Sequence, residues 1–351
     1  MERKFNAMLS KEKIEEIRNL LEKSQNPLFF FDNDLDGLAS FIILLRYLGR
    51  GKGVAAKSYP DLNIAYARKI DEFKPDVIFI LDKPLVSEEF FSHARLMNIP
   101  IVWIDHHPLS QKIGNISYYN PLLGNPPTNE PVSYWCWKIA KEKKEDLWLA
   151  MIGTISDWHP PDFQERFFSL YPDLVEKKRS VREILYETKL GLLIKILNFG
   201  LKDRTTNVLK MIRALQTAKT PYEIFDDKKF ETTRRRYSQI SRKYEKFIEK
   251  AKEQVCNKLL FFQYGGDLSL SGEIANELQY LFPEKVVVVA YIKGEKANIS
   301  LRAQEIDIRG IAARAMNGIQ GTCGGHEHAS GASMRVEDIP KFKENIEKQL
   351  K

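Results

Sequence analysis

The period of the apolar positions changes along the chain, and the changes mark its elements. Residues 11–24 carry Ile14, Ile17, Leu20 and Leu21 on one face of a charged stretch, which predicts an amphipathic helix. Leu28-Phe29-Phe30-Phe31 follows, a short all-apolar run that ends in Asp32. Asp76-Val77-Ile78-Phe79-Ile80-Leu81-Asp82 and Ile101-Val102-Trp103-Ile104-Asp105 have the same shape. Short buried-type strands separated by helical stretches predict a parallel α/β sheet. Ligands bind such sheets outside the carboxyl ends of the strands, so the aspartates at these ends are expected in one crevice.

Two further helices are predicted over 131–142 and 145–157, the second running into Ser156-Asp157-Trp158-His159 before Pro160 and Pro161 stop it. From about 172 to 255 the pattern is helical, rich in Lys and Arg and without strand signals. It includes Thr233-Arg234-Arg235-Arg236-Tyr237. Strand patterns return at Leu259–Tyr264, Val286–Ile292 and Asn298–Leu301, with helices at 271–281, 308–317 and 338–350 and a glycine-rich turn from Gly324 to Gly331. The expected organisation is an α/β domain over 1–171, a basic helical connector over 172–255 and a smaller α/β domain over 256–351.

Composition narrows this picture. The 351 residues are 43% hydrophobic, enough for ordinary cores and too much for a disordered chain. No apolar run approaches the ~18 residues of a membrane span. The N-terminal Met1-Glu2-Arg3-Lys4 lacks the apolar segment of a secretion signal. Cys136, Cys256 and Cys323 are too few and too scattered for a disulfide framework. A soluble, cytoplasmic protein with no membrane partner is therefore expected. The net charge of +7 favours a polyanionic partner without requiring one.

Acidic and histidine residues gather where the strands end. Asp32-Asn33-Asp34-Leu35-Asp36-Gly37 sets acids at alternate positions on a tight turn, where like charges repel unless a cation intervenes. The calcium loop of an EF-hand starts with this spacing but needs a Glu at its twelfth position; here that is Ile43, and a strand precedes the motif. A helix cap with an exposed acidic turn is the plainer reading of the motif. Asp105-His106-His107-Pro108 can give one imidazole to a metal and turn the other to substrate, with Asp105 orienting a ring. Asp82 and Asp157 are weak signals alone, but carboxylates with imidazoles and no thiolate suit Mn²⁺ or Mg²⁺ better than a cysteine-held zinc. In the C-terminal part, Ser300-Leu301-Arg302 and Gly324-Gly325-His326 offer a guanidinium fork and a backbone that can approach phosphate closely. A plain Gly-Gly hairpin, or a zinc site using Cys323, His326 and His328, remains open there.

Taken together, Asp32-Asn33-Asp34-Leu35-Asp36-Gly37, Asp82, Asp105-His106-His107 and Gly153-Thr154-Ile155-Ser156-Asp157 resemble the successive motifs of the DHH phosphoesterase superfamily. Ser300-Leu301-Arg302 with Gly324-Gly325-His326 resembles its DHHA1 domain, and Tyr119-Asn120-Pro121 is similar to RecJ-type nucleases, above all the short archaeal ones. The resemblance implies two Mn²⁺ ions, with Mg²⁺ as a substitute. Asp34 and Asp82 would hold the first, with Asp32 as an added ligand because Phe30 stands where the family often has histidine. Asp36, Asp82, His106 and Asp157 would hold the second. His107 with Asp105 would serve catalysis beside the scissile phosphate, and Ser300, Arg302, Gly324, Gly325 and His326 would bind substrate. The resemblance thus implies that 1–171 is the catalytic domain, that 256–351 is the substrate-binding domain and that the active site lies in the cleft between them.

The implied function is a metal-dependent exonuclease on single-stranded DNA or RNA, 3′→5′ as in the short archaeal proteins, with a role in DNA repair or replication. A phosphatase or nanoRNase acting on very short oligonucleotides or nucleotide phosphates is the alternative within enzymes. A non-catalytic helicase or replisome scaffold is the alternative from another class. Helicase or replisome proteins and a second copy of the chain are admitted as partners.

Overall fold

The computed structural model describes residues 9–58, 60–113, 116–176, 179–255 and 257–350; the first residues of the chain and Cys256 lie outside them. The described chain forms two units, one reaching to Tyr237 and the other starting at Ser238. Among the described residues no helix is long and apolar enough to cross a membrane.

The strands of the first unit are β1 (Pro27–Asp32), β2 (Lys52–Ala56), β3 (Asp61–Leu62), β4 (Val77–Leu81), β5 (Leu85–Val86), β6 (Ile101–Ile104) and β7 (Ser117–Tyr119). Five of them lie side by side as β2-β1-β4-β6-β7, all parallel, while β3 and β5 pair separately. Side chains alternate across a strand. Phe29 and Phe31 accordingly face one layer with Phe79, Leu81, Val102 and Ile104, and Leu28 and Phe30 face the other with Ile78, Ile80 and Trp103. Helices α1 (Lys11–Lys23) and α2 (Leu35–Leu48) cover the first face, and α3 (Ala67–Phe73) and α4 (Glu88–Leu96) cover the second. Helices α5 (Val132–Ile139) and α6 (Leu147–Ser156) join the first face. The Phe31 ring stacks on Phe41 of α2 at 4.7 Å, which seats that helix on the sheet.

The basic helical stretch does not stand apart as a connector. After α7 (Gln164–Leu170) come α8 (Val181–Glu187), α9 (Lys189–Leu201), α10 (Thr205–Thr217) and α11 (Glu223–Asp226). Ile184, Leu197, Met211 and Phe230 from this region are buried in the same core as Phe29 and Phe31. Arg46 of α2 donates to the carbonyls of Leu215 and Ala218, at 3.2 and 2.5 Å. The boundary between the units falls inside α12 (Glu231–Lys252), not at 171 or 255. Two of its arginines are structural: Arg236 holds the carbonyl of Lys202, and Arg234 holds those of Ile224 and Asp227. These carbonyls sit at helix ends, where backbone acceptors lack intrahelical partners. Arg235, Arg242, Lys243 and Lys246 are exposed.

The second unit contains β8 (Leu259–Gly265), α13 (Ser271–Leu281), β9 (Val286–Lys293), β10 (Lys296–Arg302), α14 (Ile308–Ala315), β11 (Gly321–Gly325), β12 (Ala329–Arg335) and α15 (Ile339–Gln349). Its sheet runs β11-β12-β10-β9-β8, with β8 and β9 parallel and the other pairs antiparallel. Ile299, Leu301, Ala312, Phe342 and Ile346 are buried together under α14 and α15. The glycine-rich stretch expected as a turn is a hairpin, β11 paired with β12 around the tight turn His326–Ala329. Its glycines carry no side-chain alternation, so the strand period is invisible in that sequence.

Candidate metal centre

In the first sheet the chain passes from β1 outward to β2 and later returns to place β4 on the other side of β1. Where strand order reverses in this way, the carboxyl ends splay and leave a crevice. Asp32 ends β1, Asp82 follows β4 and Asp105 follows β6, so all of them stand at this edge. Asp34 caps α2, its Oδ1 accepting the Gly37 N–H at 2.9 Å. Glycine is required at 37, because a Cβ would stand 2.6 Å from the Asp32 carbonyl oxygen.

Asp82 lies at the centre. Its backbone takes φ +60°, a conformation uncommon outside glycine, and its N–H is tied to the Ile104 carbonyl at 2.9 Å. The side chain is buried, with Oδ1 3.4 Å from His106 Nε2 and 3.8 Å from His107 Nδ1. His106 Nε2 is also 3.3 Å from Asp157 Oδ2 at the end of α6. Ligand atoms of Asp82, His106 and His107 all lie within 4.8 Å of one another. Asp82 Oδ1 and His106 Nδ1 are buried without a hydrogen-bond partner, which is costly unless something else satisfies them. An orphaned carboxylate oxygen facing imidazole nitrogens is a donor set that fits a divalent cation.

The electrostatics agree. Burial, then the charges of Asp32 and Asp36, push the Asp34 carboxyl up to about 7. Burial, with Asp34 and Asp36 adding repulsion, holds Asp82 well above the usual carboxylate range. Asp157 rises to about 7 through burial and the charge of Asp36, although 38% of its side chain stays exposed and solvent moderates the effect. Burial lowers the His106 imidazole. It also pulls His107 down, but the hydrogen bond and charge of Asp105 outweigh this and the net shift is upward. This cluster resists full ionisation until positive charge arrives.

The expected residues do not all have the same role. Asp105 Oδ1 takes His107 Nδ1 at 2.8 Å, and its Oδ2 takes the His107 backbone N–H at 3.2 Å, which fixes the ring and turns Nε2 away from Asp105. Asn120 donates to the His107 carbonyl at 2.8 Å and is buried, so the Tyr119-Asn120-Pro121 stretch anchors the histidine. Both Asp36 oxygens are engaged at the start of α5. Oδ2 accepts from Val132 N–H at 2.7 Å, and Oδ1 accepts from Ser133 N–H at 2.9 Å and from its hydroxyl. A carboxylate at a helix N-terminus is well placed for that bond, which leaves Asp36 fewer lone pairs for an ion.

Asp32 has a partner that the sequence reading missed. Lys83, fully buried, donates to Asp32 Oδ1 at 2.9 Å and to the Ser58 carbonyl at 2.8 Å. The signal was a lysine immediately after Asp82, inside the otherwise apolar stretch from Val77 to Val86. Phe30, at the position where the motif resemblance expects histidine, is buried in the second layer of the core.

In the second unit, Ser300 and Arg302 alternate on one face of β10. Ser300 Oγ contacts Ser271 Oγ at 3.0 Å, and Arg302 Nε donates to Asn276 Oδ1 at 2.6 Å, so α13 orients both. Ser300 pairs with Gly331, which pairs with Gly324, so they form one row across three strands. Gly324, Gly325 and His326 are exposed, and Gly325 has φ +141°.

Residues 252–351 match the family described as DHHA1 domain. A comparison with curated proteins finds no match. Among solved structures the chain is similar to RecJ from Thermus thermophilus in complex with Mn²⁺, with TM-score 0.71 at 16% identity over 98% of this chain. It spans only 55% of that protein. It is also similar to an exonuclease RecJ bound to manganese, with TM-score 0.69 at 17% identity, covering 98% of this chain and 96% of the other. A third likeness is to a pGpG-specific phosphodiesterase from Vibrio cholerae, with TM-score 0.51 at 14% identity, covering 93% of this chain and 99% of the other.

Proposed function

Because the chain has the RecJ-like fold of DHH proteins and ends in a DHHA1 domain, we propose that it is a metal-dependent phosphodiesterase that shortens single-stranded DNA or RNA from the 3′ end. The observation that carries this reading is the buried Asp82 oxygen, unsatisfied and facing His106 and His107 at the reversal point of the sheet. Asp34, Asp82, His106 and Asp157 would hold two Mn²⁺ ions, or Mg²⁺ in their place, with Asp82 shared. Asp36 would add the lone pairs that its bonds to α5 leave over. When bound, such ions supply Lewis acidity and neutralise charge on phosphoryl oxygens during attack by water.

The chain's own residues do the rest. His107, its Nδ1 fixed by Asp105, keeps Nε2 for the scissile phosphate. Asp105 stabilises the charged ring if it takes up a proton. In the second unit, Arg302, oriented by Asn276, and His326 bind phosphates of the strand, with Ser300 and the Gly324–Gly325 backbone as further donors. The positive net charge favours such a polyanion.

A second reading, hydrolysis of dinucleotides, is favoured by the likeness to the pGpG-specific phosphodiesterase. The test is digestion of a 30-nucleotide single strand with Mn²⁺, labelled at either end, as DNA and as RNA. Early release of labelled mononucleotide from the 3′ end, with a descending ladder from the 5′-labelled strand, is expected. An intact long strand beside consumed dinucleotide would select the second reading, and no hydrolysis of either would sink both.

A further inference from the structure

The carboxylates around Asp82 are not equally open to cations. On the His106 side, Asp82 Oδ1 has no hydrogen-bond partner and lies within 4 Å of two imidazoles, with Asp157 beside them. On the side of β1, a cation is already built in. The Lys83 ammonium, with no exposed surface, sits 2.9 Å from Asp32 Oδ1, and that same oxygen accepts the Asn33 N–H at 2.9 Å. The ammonium is held in turn by the Ser58 carbonyl, and the Lys83 carbonyl accepts the Trp103 indole N–H at 2.9 Å. Asp34, the remaining acid of that side, keeps one oxygen on the Gly37 N–H.

From this asymmetry, and resting on the metal centre proposed above, we propose that the protein holds its two divalent ions very unequally: one tightly at Asp82, His106 and Asp157, and a second weakly beside Asp34, where Lys83 already neutralises Asp32. A lysine covalently fixed in a buried turn cannot leave as a solvated ion would. It occupies Asp32 Oδ1, halving what that carboxylate can offer, and repels an arriving dication at short range, where burial reduces screening. Its position is over-determined, because Asp82 and Lys83 are adjacent and the Asp82 N–H, the Lys83 carbonyl and the Lys83 ammonium are each bonded to a different part of the sheet edge. Lys83 thus acts as a positioning residue and an internal counter-charge, and occupancy of the second position depends on the free metal concentration.

The experiment is a Mn²⁺ titration of the full chain, followed by the loss of the free-ion electron paramagnetic resonance signal and by calorimetry. One tight ion and a second at least about 30-fold weaker are expected, the gap corresponding to ~2 kcal/mol. Lys83→Met, verified as folded by circular dichroism, frees Asp32 and should tighten the second ion about tenfold or more while the first changes little. Two ions of equal affinity in the unaltered protein would overturn the inference and leave the metal centre standing. The inference is equally overturned if folded Lys83→Met or Lys83→Gln binds the second ion no better. Should the variants fail to fold, the ratio in the unaltered protein decides by itself. No Mn²⁺ uptake at all would remove the metal centre, and the inference with it.

Discussion

The acidic edge of the first sheet and the glycine hairpin of the second are opposite kinds of surface. Asp36, Asp82, Asp105 and His106 are buried and bonded to backbone groups or crowded against one another. Along Gly321–Gly325 every residue is exposed, and β11 is an edge strand. A buried cluster of like charges ties function to stability, because whatever relieves the repulsion also stabilises the fold. An exposed edge with free backbone donors can meet a ligand with little effect on the core. The contrast predicts different signatures for damage in the two regions.

The largest effect is expected at Asp82. Asp82→Asn keeps the shape but withdraws the carboxylate that both imidazoles face, and hydrolysis should fall by about 10³-fold or more, ~4 kcal/mol of barrier. Removing a buried, repelled carboxylate should at the same time raise the metal-free thermal midpoint, the trade expected where an active site stores repulsion. Steady-state rates with Mn²⁺ and thermal melts in chelator check the pair. A variant with full activity would break the assignment of the cluster.

Next in size is the pH dependence of the metal-free protein. Asp34 and Asp157 titrate near 7 in the folded chain but near 3.8 when unfolded. At pH below 3.8 these groups are protonated in both states and cost nothing. Between about 4 and 7 the folded state binds more protons than the unfolded one, so stability falls as pH rises. The thermal midpoint in chelator should therefore drop by a few degrees from about pH 5 to about 7.5, and saturating Mn²⁺ should recover it most at the higher pH. A flat profile in chelator would mean that the repulsion is relieved within the protein itself.

Much of the first region was legible because the chemistry coincides with strong patterns. Apolar runs ending at Asp32, Asp82 and Asp105 announce parallel strands, and strand ends in such a sheet share an edge. What stayed hidden depends on partners distant in sequence. Nothing near Asp36 reveals that Val132 and Ser133 hold it, and nothing near Asp32 reveals Lys83. The strand β2 escaped because Lys52-Gly53-Val54 is an edge segment without an apolar run, and β7 because it spans only Ser117–Tyr119. The helices after 172 read as a connector because their charged faces dominate composition, while Ile184, Leu197 and Met211 supply the buried face.

The smallest effects separate two neighbouring glycines of the hairpin. Gly325 has φ +141°, and a Cβ there would lie 2.4 Å from the Ala329 carbonyl oxygen. Gly325→Ala should therefore cost about 1–3 kcal/mol of stability, read by denaturant melts. Gly324 has nothing within 4 Å of the place its Cβ would occupy, so Gly324→Ala should leave stability within about 0.5 kcal/mol. The fold does not need glycine at 324, and a methyl group there projects into open space beside exposed backbone. If a phosphate approaches this backbone, Gly324→Ala should raise KM for an oligonucleotide several-fold with kcat little changed. An unchanged KM would take the hairpin out of the binding surface and leave recognition to Ser300 and Arg302, whose side chains the fold orients through α13.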